Sequence, residues 1–271
     1  MREADAFAAR YFSGRELYGD NFDQSGIDQW FRDEEHGYAD LQGVDRARHE
    51  YGYDALNSYH GFSNISPDRR FKHALGFGSN FGDELAPILS KLDRVTLLDS
   101  SDRYLVRELS GVPVEFLLAH PTGSIELPDD SVDLITCFGV LHHIPNVSKV
   151  MREFRRILIP GGILLVREPI TTMGDWRNPR RGLTARERGI PRQLLLDMFS
   201  MSDLRVLHAA DCQFPPMVKI CQKLGVAAFR GRLTTLLDGL LASAFRFNYS
   251  YHRSGLWSRF AAAGLFVVAS R

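Results

Sequence analysis

Two adjacent histidines, His142 and His143, stand in the run Leu141-His142-His143-Ile144-Pro145, and Glu168 closes the next apolar run downstream. Histidine titrates in the range where protons must move at neutral pH, and a neighbouring carboxylate can orient it. The pair therefore reads as general-base machinery, with His143 favoured over His142 and Glu168 as orienting acid or second base. The plain alternative is a segment that only caps the following helix. A second group lies upstream, where Gly76-Phe77-Gly78 ends one apolar run and Asp99 ends the next, at an offset of 99 − 76 = 23 residues. Glycine is needed where backbone turns tightly and approaches a ligand. A carboxylate at the tip of the next strand, roughly 20 residues on, is placed to accept hydrogen bonds from a ribose. This spacing points to an adenosine-containing cofactor. The third group is the stretch from Glu168 to Arg192, with Trp176 and six arginines, Arg177, Arg180, Arg181, Arg186, Arg188 and Arg192. Guanidiniums can hold phosphate or carboxylate in a fork; a solvated loop is the alternative.

The elements that must position these groups alternate. Short apolar runs end at Leu75, Leu98, Leu118, Cys137 and Val166, and helical patterns separate several of them. Helix 147–158 places Val147, Val150, Met151, Phe154, Ile157 and Leu158 on one face. Such alternation predicts a parallel sheet covered on both faces, with ligands beyond the C-terminal strand ends. After the glycine turn, Asn80 is expected to cap a helix that Pro87 kinks or restarts. Leu204 to Ala209 and Leu265 to Ala269 read as the last two strands. Between them, residues 213–262 form a long insertion with two amphipathic patterns, expected as a lid or a homodimer surface. Residues 1–65 read as an N-terminal helical cap or extension, and residues 66–271 as the main domain.

The composition narrows the classes. The 271 residues carry 33 basic and 33 acidic side chains, a formal net charge of zero that favours neither nucleic acid nor an anionic membrane. Cys137, Cys212 and Cys221 form no metal-ligand spacing, so no metal is assigned, and a reduced cytoplasmic chain is expected. The N-terminal residues have mixed charge and no apolar core, unlike a secretory leader. No apolar run reaches the roughly 20 residues of a membrane span, so no membrane crossing is expected; an interfacial helix in the 213–262 insertion, touching a lipid-linked substrate, is the weaker reading.

Taken in order, Gly76-Phe77-Gly78, Asp99, Leu127-Pro128 with Ser131 and Asp133, Leu141-His142-His143-Ile144-Pro145 and Pro160-Gly161-Gly162 resemble the landmarks of the class I S-adenosylmethionine-dependent methyltransferases that act on small molecules. The resemblance implies an α/β, Rossmann-like seven-stranded sheet with helices on both faces and an antiparallel last strand. It also implies S-adenosyl-L-methionine as cofactor. Backbone at Gly76, Phe77 and Gly78 would line the methionine part and ribose, Asp99 would hold the ribose hydroxyls, Ser100 would sit beside the adenine, and Phe138 would line the pocket near the methionine. The chain departs from the family pattern at Ala74 and Asn80, where an acid and a third glycine usually stand. His120-Pro121-Thr122 replaces the acid that often receives the adenine amino group, leaving that contact to backbone. The loop from Met173 to Pro191 resembles a bacterial methyltransferase type associated with sugar and polysaccharide modification. That implies a hydroxyl acceptor on a phosphate-bearing sugar, held by Trp176, Arg177, Arg180 and Arg181. The competing class is a catalytically idle methyltransferase-like module that binds a partner. A nicotinamide dehydrogenase is disfavoured by the turn Gly76 to Gly82 and by the absence of a Tyr-x-x-x-Lys pair.

Overall fold

Eight strands form one sheet in the computed structural model of the chain, which describes residues 2–40, 50–180 and 182–271. The strands are β1 (Ala74–Phe77), β2 (Val95–Asp99), β3 (Glu108–Leu109), β4 (Val112–Leu118), β5 (Val132–Phe138), β6 (Leu158–Pro169), β7 (Arg205–Cys212) and β8 (Gly264–Ser270). Their order across the sheet is β3-β4-β2-β1-β5-β6-β8-β7. Pairing is parallel from β4 to β6 through β2, β1 and β5, while β8 runs antiparallel to both β6 and β7. Every residue of β1, β2 and β8 is buried, which is why those runs are mostly apolar rather than alternating.

Where seven strands are expected, the eighth is β3, a two-residue hairpin partner of β4. Ser110 and Gly111 turn it with φ of 49° and 89°, the positive pair that tight hairpins use. The segment after the glycine turn also differs from expectation. It is a 3-10 helix, Asp83–Lys91, that begins after Gly82 in the left-handed region and contains Pro87. Asn80 does not cap it; it takes φ 48° and gives its N–H to Asp99 instead.

Helices α1 (Arg2–Tyr11), α2 (Gln24–Asp40) and α3 (Asp54–His60) precede the sheet. Helix α4 (Val147–Ile157) connects β5 to β6, and buries Val147, Val150, Met151, Phe154 and Ile157. Helix α5 (Arg192–Met201) precedes β7, and α6 (Pro215–Lys223) and α7 (Arg232–Ala244) lie between β7 and β8. Among the described residues, no helix is long and apolar enough to cross a membrane.

The N-terminal residues grip the turn after β5. Trp30 is fully buried and its Nε1 donates to the His143 carbonyl at 2.7 Å. Asp20 accepts from the Ser148 N–H at 2.8 Å and so caps the start of α4, where Asn146 makes no side-chain cap of its own. Asp133, the acid of the Leu-Pro segment, accepts from the N–H groups of Lys72 and His73 at 2.8 and 3.0 Å, tying β5 to the entry of β1.

Candidate active site

The C-terminal tips of β1, β2 and β5 meet around bare backbone. Gly78 has φ +65°, and a Cβ built there would lie 2.5 Å from a methyl of Val140. One built on Gly76 would lie 2.4 Å from Ser79 Oγ. The sequence therefore needs glycine at both places, and the turn of β1 lies directly under the turn of β5. Phe77 turns its ring into the core, edge-on to Phe154 at 4.9 Å, so only its backbone is left for a ligand. Replacing Gly78 by alanine is expected to weaken S-adenosylhomocysteine binding by roughly tenfold, through left-handed strain of about 1 kcal/mol and displacement of Val140. Isothermal calorimetry measures it, and unchanged affinity would show that this turn does not touch the cofactor.

Asp99 closes β2 with 7% exposure. Its Oδ2 accepts from the Asn80 N–H at 2.9 Å and its Oδ1 from the Ser100 N–H at 2.8 Å. Burial pushes its carboxyl above the usual range, and the two N–H bonds pull back toward ionisation. Ser100 is exposed beside it. His120 and Pro121 form an exposed turn after β4, with His120 Nδ1 within 2.7 Å of Thr122 Oγ1. The carbonyl of Asp99 accepts from the Ala119 N–H at 2.8 Å, which fixes that turn beside the carboxylate. Phe138, half-buried at the end of β5, packs near Phe62 and Phe266, with the Arg167 guanidinium 5.6 Å from its ring centroid.

Glu168 is not on the rim where its strand-end position suggests. It is fully buried behind the histidines, accepting from the N–H groups of Val140, Leu141 and His142 at 2.8, 2.9 and 3.3 Å. Its Oε2 also lies 2.8 Å from His142 Nδ1. It thus holds the turn and orients the imidazole, and no oxygen remains for a second base. Burial opposes charge on His142, but bonds to Glu168 and Glu187 outweigh it and raise the imidazole to about 9. His143 moves the other way, lowered by burial and by its neighbour His142. Its Nδ1 lies 3.1 Å from Glu34 Oε2 on α2.

The described arginines of the loop hold its own shape and tie it to the N-terminal segment. Arg177 pairs with Asp175 at 2.6 Å; Arg180 donates to the Thr184 carbonyl at 2.8 Å; Arg186 reaches Asp33 and the Tyr18 hydroxyl at 2.7 and 2.6 Å. Arg188 is fully buried and donates to the carbonyls of Tyr18, Leu141 and Ile144. Arg181 lies outside the described residues. Trp176 is buried in an aromatic cluster, stacked on Tyr18 with centroids 5.5 Å apart. A cavity of about 380 Å³ opens here, lined by Phe7, Tyr18, Asp33, Trp176, Arg177 and Arg186 among others. Sequence reasoning singled out Trp176, Arg177 and Arg186 but missed Glu34, Glu84, Glu187 and Trp30, which reach the site from remote segments. Glu84 is buried beside Ser79 and Thr136, and burial raises its carboxyl to about 7.

Residues 75–166 match the family profile described as "Methyltransferase domain". That segment is similar to a methyltransferase domain. A ubiquinone biosynthesis O-methyltransferase of Xanthomonas oryzae is 37% identical over 83 residues, 31% of this chain and 30% of that protein. A human thiol S-methyltransferase is 32% identical over 91 residues, 31% of this chain and 37% of its own length. The chain thus spans well under half the length of these curated relatives. The crystal structure of an S-adenosylmethionine-dependent methyltransferase from Mesorhizobium loti superposes with a TM-score of 0.53 at 16% identity, over 78% of this chain and 95% of that one. The likeness shows the class I methyltransferase fold. The profile match and the fold together support S-adenosyl-L-methionine as the cofactor.

Proposed function

We propose that the protein transfers a methyl group from S-adenosyl-L-methionine to a hydroxyl of a small molecule, with a sugar or polysaccharide precursor favoured. The observation that carries the reading is the buried Asp99 carboxylate beside the glycine turn, at the mouth of the parallel strands. When bound, the cofactor supplies an activated methyl: its carbon–sulfur bond breaks, a carbon–oxygen bond forms, and the acceptor's proton must leave. The chain's own share is alignment and exclusion of water. Gly76 to Gly78 offer main chain to the methionine part, Asp99 accepts from the ribose, and Ser100 with the His120-Pro121 turn flanks the adenine. The proton is taken up at His143, the imidazole that stays neutral, in the turn that Glu168 holds.

The acceptor's class is supported by the cavity between the N-terminal segment and the loop after β6. Aromatic rings of Phe7 and Tyr18 line it beside the Arg177 and Arg186 guanidiniums, and an attached phosphate would have to compete with Asp175 and Asp33 for those two arginines. The named relatives methylate oxygen in one case and sulfur in another, so a thiol acceptor belongs in the same assay. A second reading, the idle module, draws on Asp99, whose two oxygens each already accept an N–H. Calorimetry with S-adenosylhomocysteine separates the two. Binding at micromolar Kd is expected, and no heat at millimolar ligand would establish the idle module. Methyl transfer from labelled cofactor to nucleotide sugars, with free thiols as comparison, then tests the acceptor. A small homodimer surface or lid at α6 and α7 remains part of the proposal and is checked by sedimentation.

A further inference from the structure

We propose that His142, His143 and Glu187 bind a divalent transition-metal ion, through Nε2 of each imidazole and one carboxylate oxygen. Nothing in the sequence spacing assigns it, because the third donor comes from the loop after β6. Ligand atoms of the three residues lie within 4.8 Å of one another. Glu187 Oε1 is 3.5 Å from His142 Nε2 and 4.0 Å from His143 Nε2. Two ligands on one zinc ion stand roughly 3–3.5 Å apart, given bonds of about 2.0–2.2 Å in a tetrahedral site. The Glu187–His142 edge already fits, the Glu187–His143 edge is about half an ångström long, and the imidazole–imidazole edge lies within the 4.8 Å bound, so the rings must draw in slightly on binding.

The surroundings are those of a ligand site rather than of a chance cluster. Each imidazole has its other nitrogen on a carboxylate, His142 Nδ1 on Glu168 at 2.8 Å and His143 Nδ1 on Glu34 at 3.1 Å. A carboxylate there keeps the proton on Nδ1 and turns the Nε2 lone pair toward the centre, the usual second tier around metal-bound histidine. That tier is itself anchored. Glu34 accepts from Thr184 Oγ1 at 2.8 Å and the Arg186 N–H at 3.1 Å, and Glu187 uses its other oxygen for the Thr184 N–H at 3.1 Å. Oε1 of Glu187 is left facing the rings.

Three buried carboxylates surround the two imidazoles, where a metal ion would take the place of the proton on His142. Glu34, Glu168 and Glu187 are all nine-tenths buried. The adjacent guanidiniums are engaged elsewhere, Arg186 on Asp33 and Tyr18, Arg188 on carbonyls. Two imidazoles with one carboxylate suit zinc, cobalt or ferrous ions, whereas magnesium and calcium prefer oxygen sets. With the ion bound, neither imidazole is left to act as base, and an acceptor hydroxyl held on the ion would instead shed its proton to water more readily; occupation of the site does not depend on methyl transfer.

The test uses the full chain, stripped with chelator and titrated with Zn²⁺ by calorimetry and with Co²⁺ by visible absorption. One equivalent of each is expected, with the intense bands of four-coordinate cobalt. His143→Asn and Glu187→Gln should each weaken Zn²⁺ binding at least about 100-fold, while circular dichroism and S-adenosylhomocysteine affinity report that they remain folded. Absence of binding in the unaltered protein, or undiminished binding in both variants, overturns the site. Metal uptake without S-adenosylhomocysteine binding would leave the metal site standing and sink the methyltransferase reading instead.

Discussion

Replacing Asp99 by alanine is expected to weaken S-adenosylhomocysteine binding by about 100-fold or more, close to 2.8 kcal/mol. Two hydrogen bonds from ribose hydroxyls to a carboxylate are worth about 1.5–3 kcal/mol each. The same substitution frees the N–H groups of Asn80 and Ser100, which now anchor on its two oxygens and shape the turn beneath the ligand. Asp99→Asn keeps the shape but exchanges an acceptor for a donor, so its loss should be smaller, roughly tenfold. Calorimetry reads both. An affinity within about threefold of the unaltered protein, or about 0.7 kcal/mol, would mean that no ribose reaches this carboxylate. A melting temperature measured alongside separates lost contact from lost fold.

Glu168→Ala should be the most destabilising single change around the site. The carboxylate is fully buried and accepts from three consecutive N–H groups as well as the His142 ring. Removing it leaves three buried donors and an imidazole without their partner. Breaking a buried pair of this kind costs about 3–5 kcal/mol. At about 2–4 °C per kcal/mol for a chain of this size, the melting temperature should fall by about 6–20 °C. Glu168→Gln retains an oxygen for the Val140 and Leu141 N–H groups and should lose markedly less. Thermal unfolding followed by circular dichroism decides it. A shift below about 2 °C, the equivalent of less than 1 kcal/mol, would show that Trp30 and Arg188 hold this turn without help.

The contrast between Asp99 and Glu168 shows what sequence can reveal about such a site. Both end buried strands, so their positions in the chain were legible from apolar runs broken by a carboxylate. Their directions were not. Asp99 sits at a tip where the chain turns past bare glycine, whereas the turn from Val140 to His142 folds back over Glu168 and encloses it. The alternation of strands and helices and the glycine turn were readable because each is local, set by burial or backbone geometry over a few residues, whereas the antiparallel direction of the last strand came only from the family resemblance. The two-residue β3 carries no pattern long enough to see. Gly82 and Pro87 favour short 3-10 turns over the α-helix that the acids Asp83 and Glu84 suggest. Glu34 and Glu187 were invisible as partners of the histidines because their meeting spans more than a hundred residues in one case and a coiled loop in the other. The six arginines misled in the opposite direction. Their composition suggests a ligand fork, but the described ones are spent mostly on carbonyls and acids that give the loop its shape.

Strand β8 lies between β6 and β7, although β6 is made long before it. On a translating ribosome, the apolar edge of β6 must wait while residues 170–263 emerge. At about 5–20 residues per second, that wait is roughly 5–20 s. Throughout it, Ile163 to Val166 present an open hydrogen-bonding ladder to any neighbouring nascent chain. A nascent chain therefore exposes one edge to mispairing during that interval, a hazard that its finished form no longer displays.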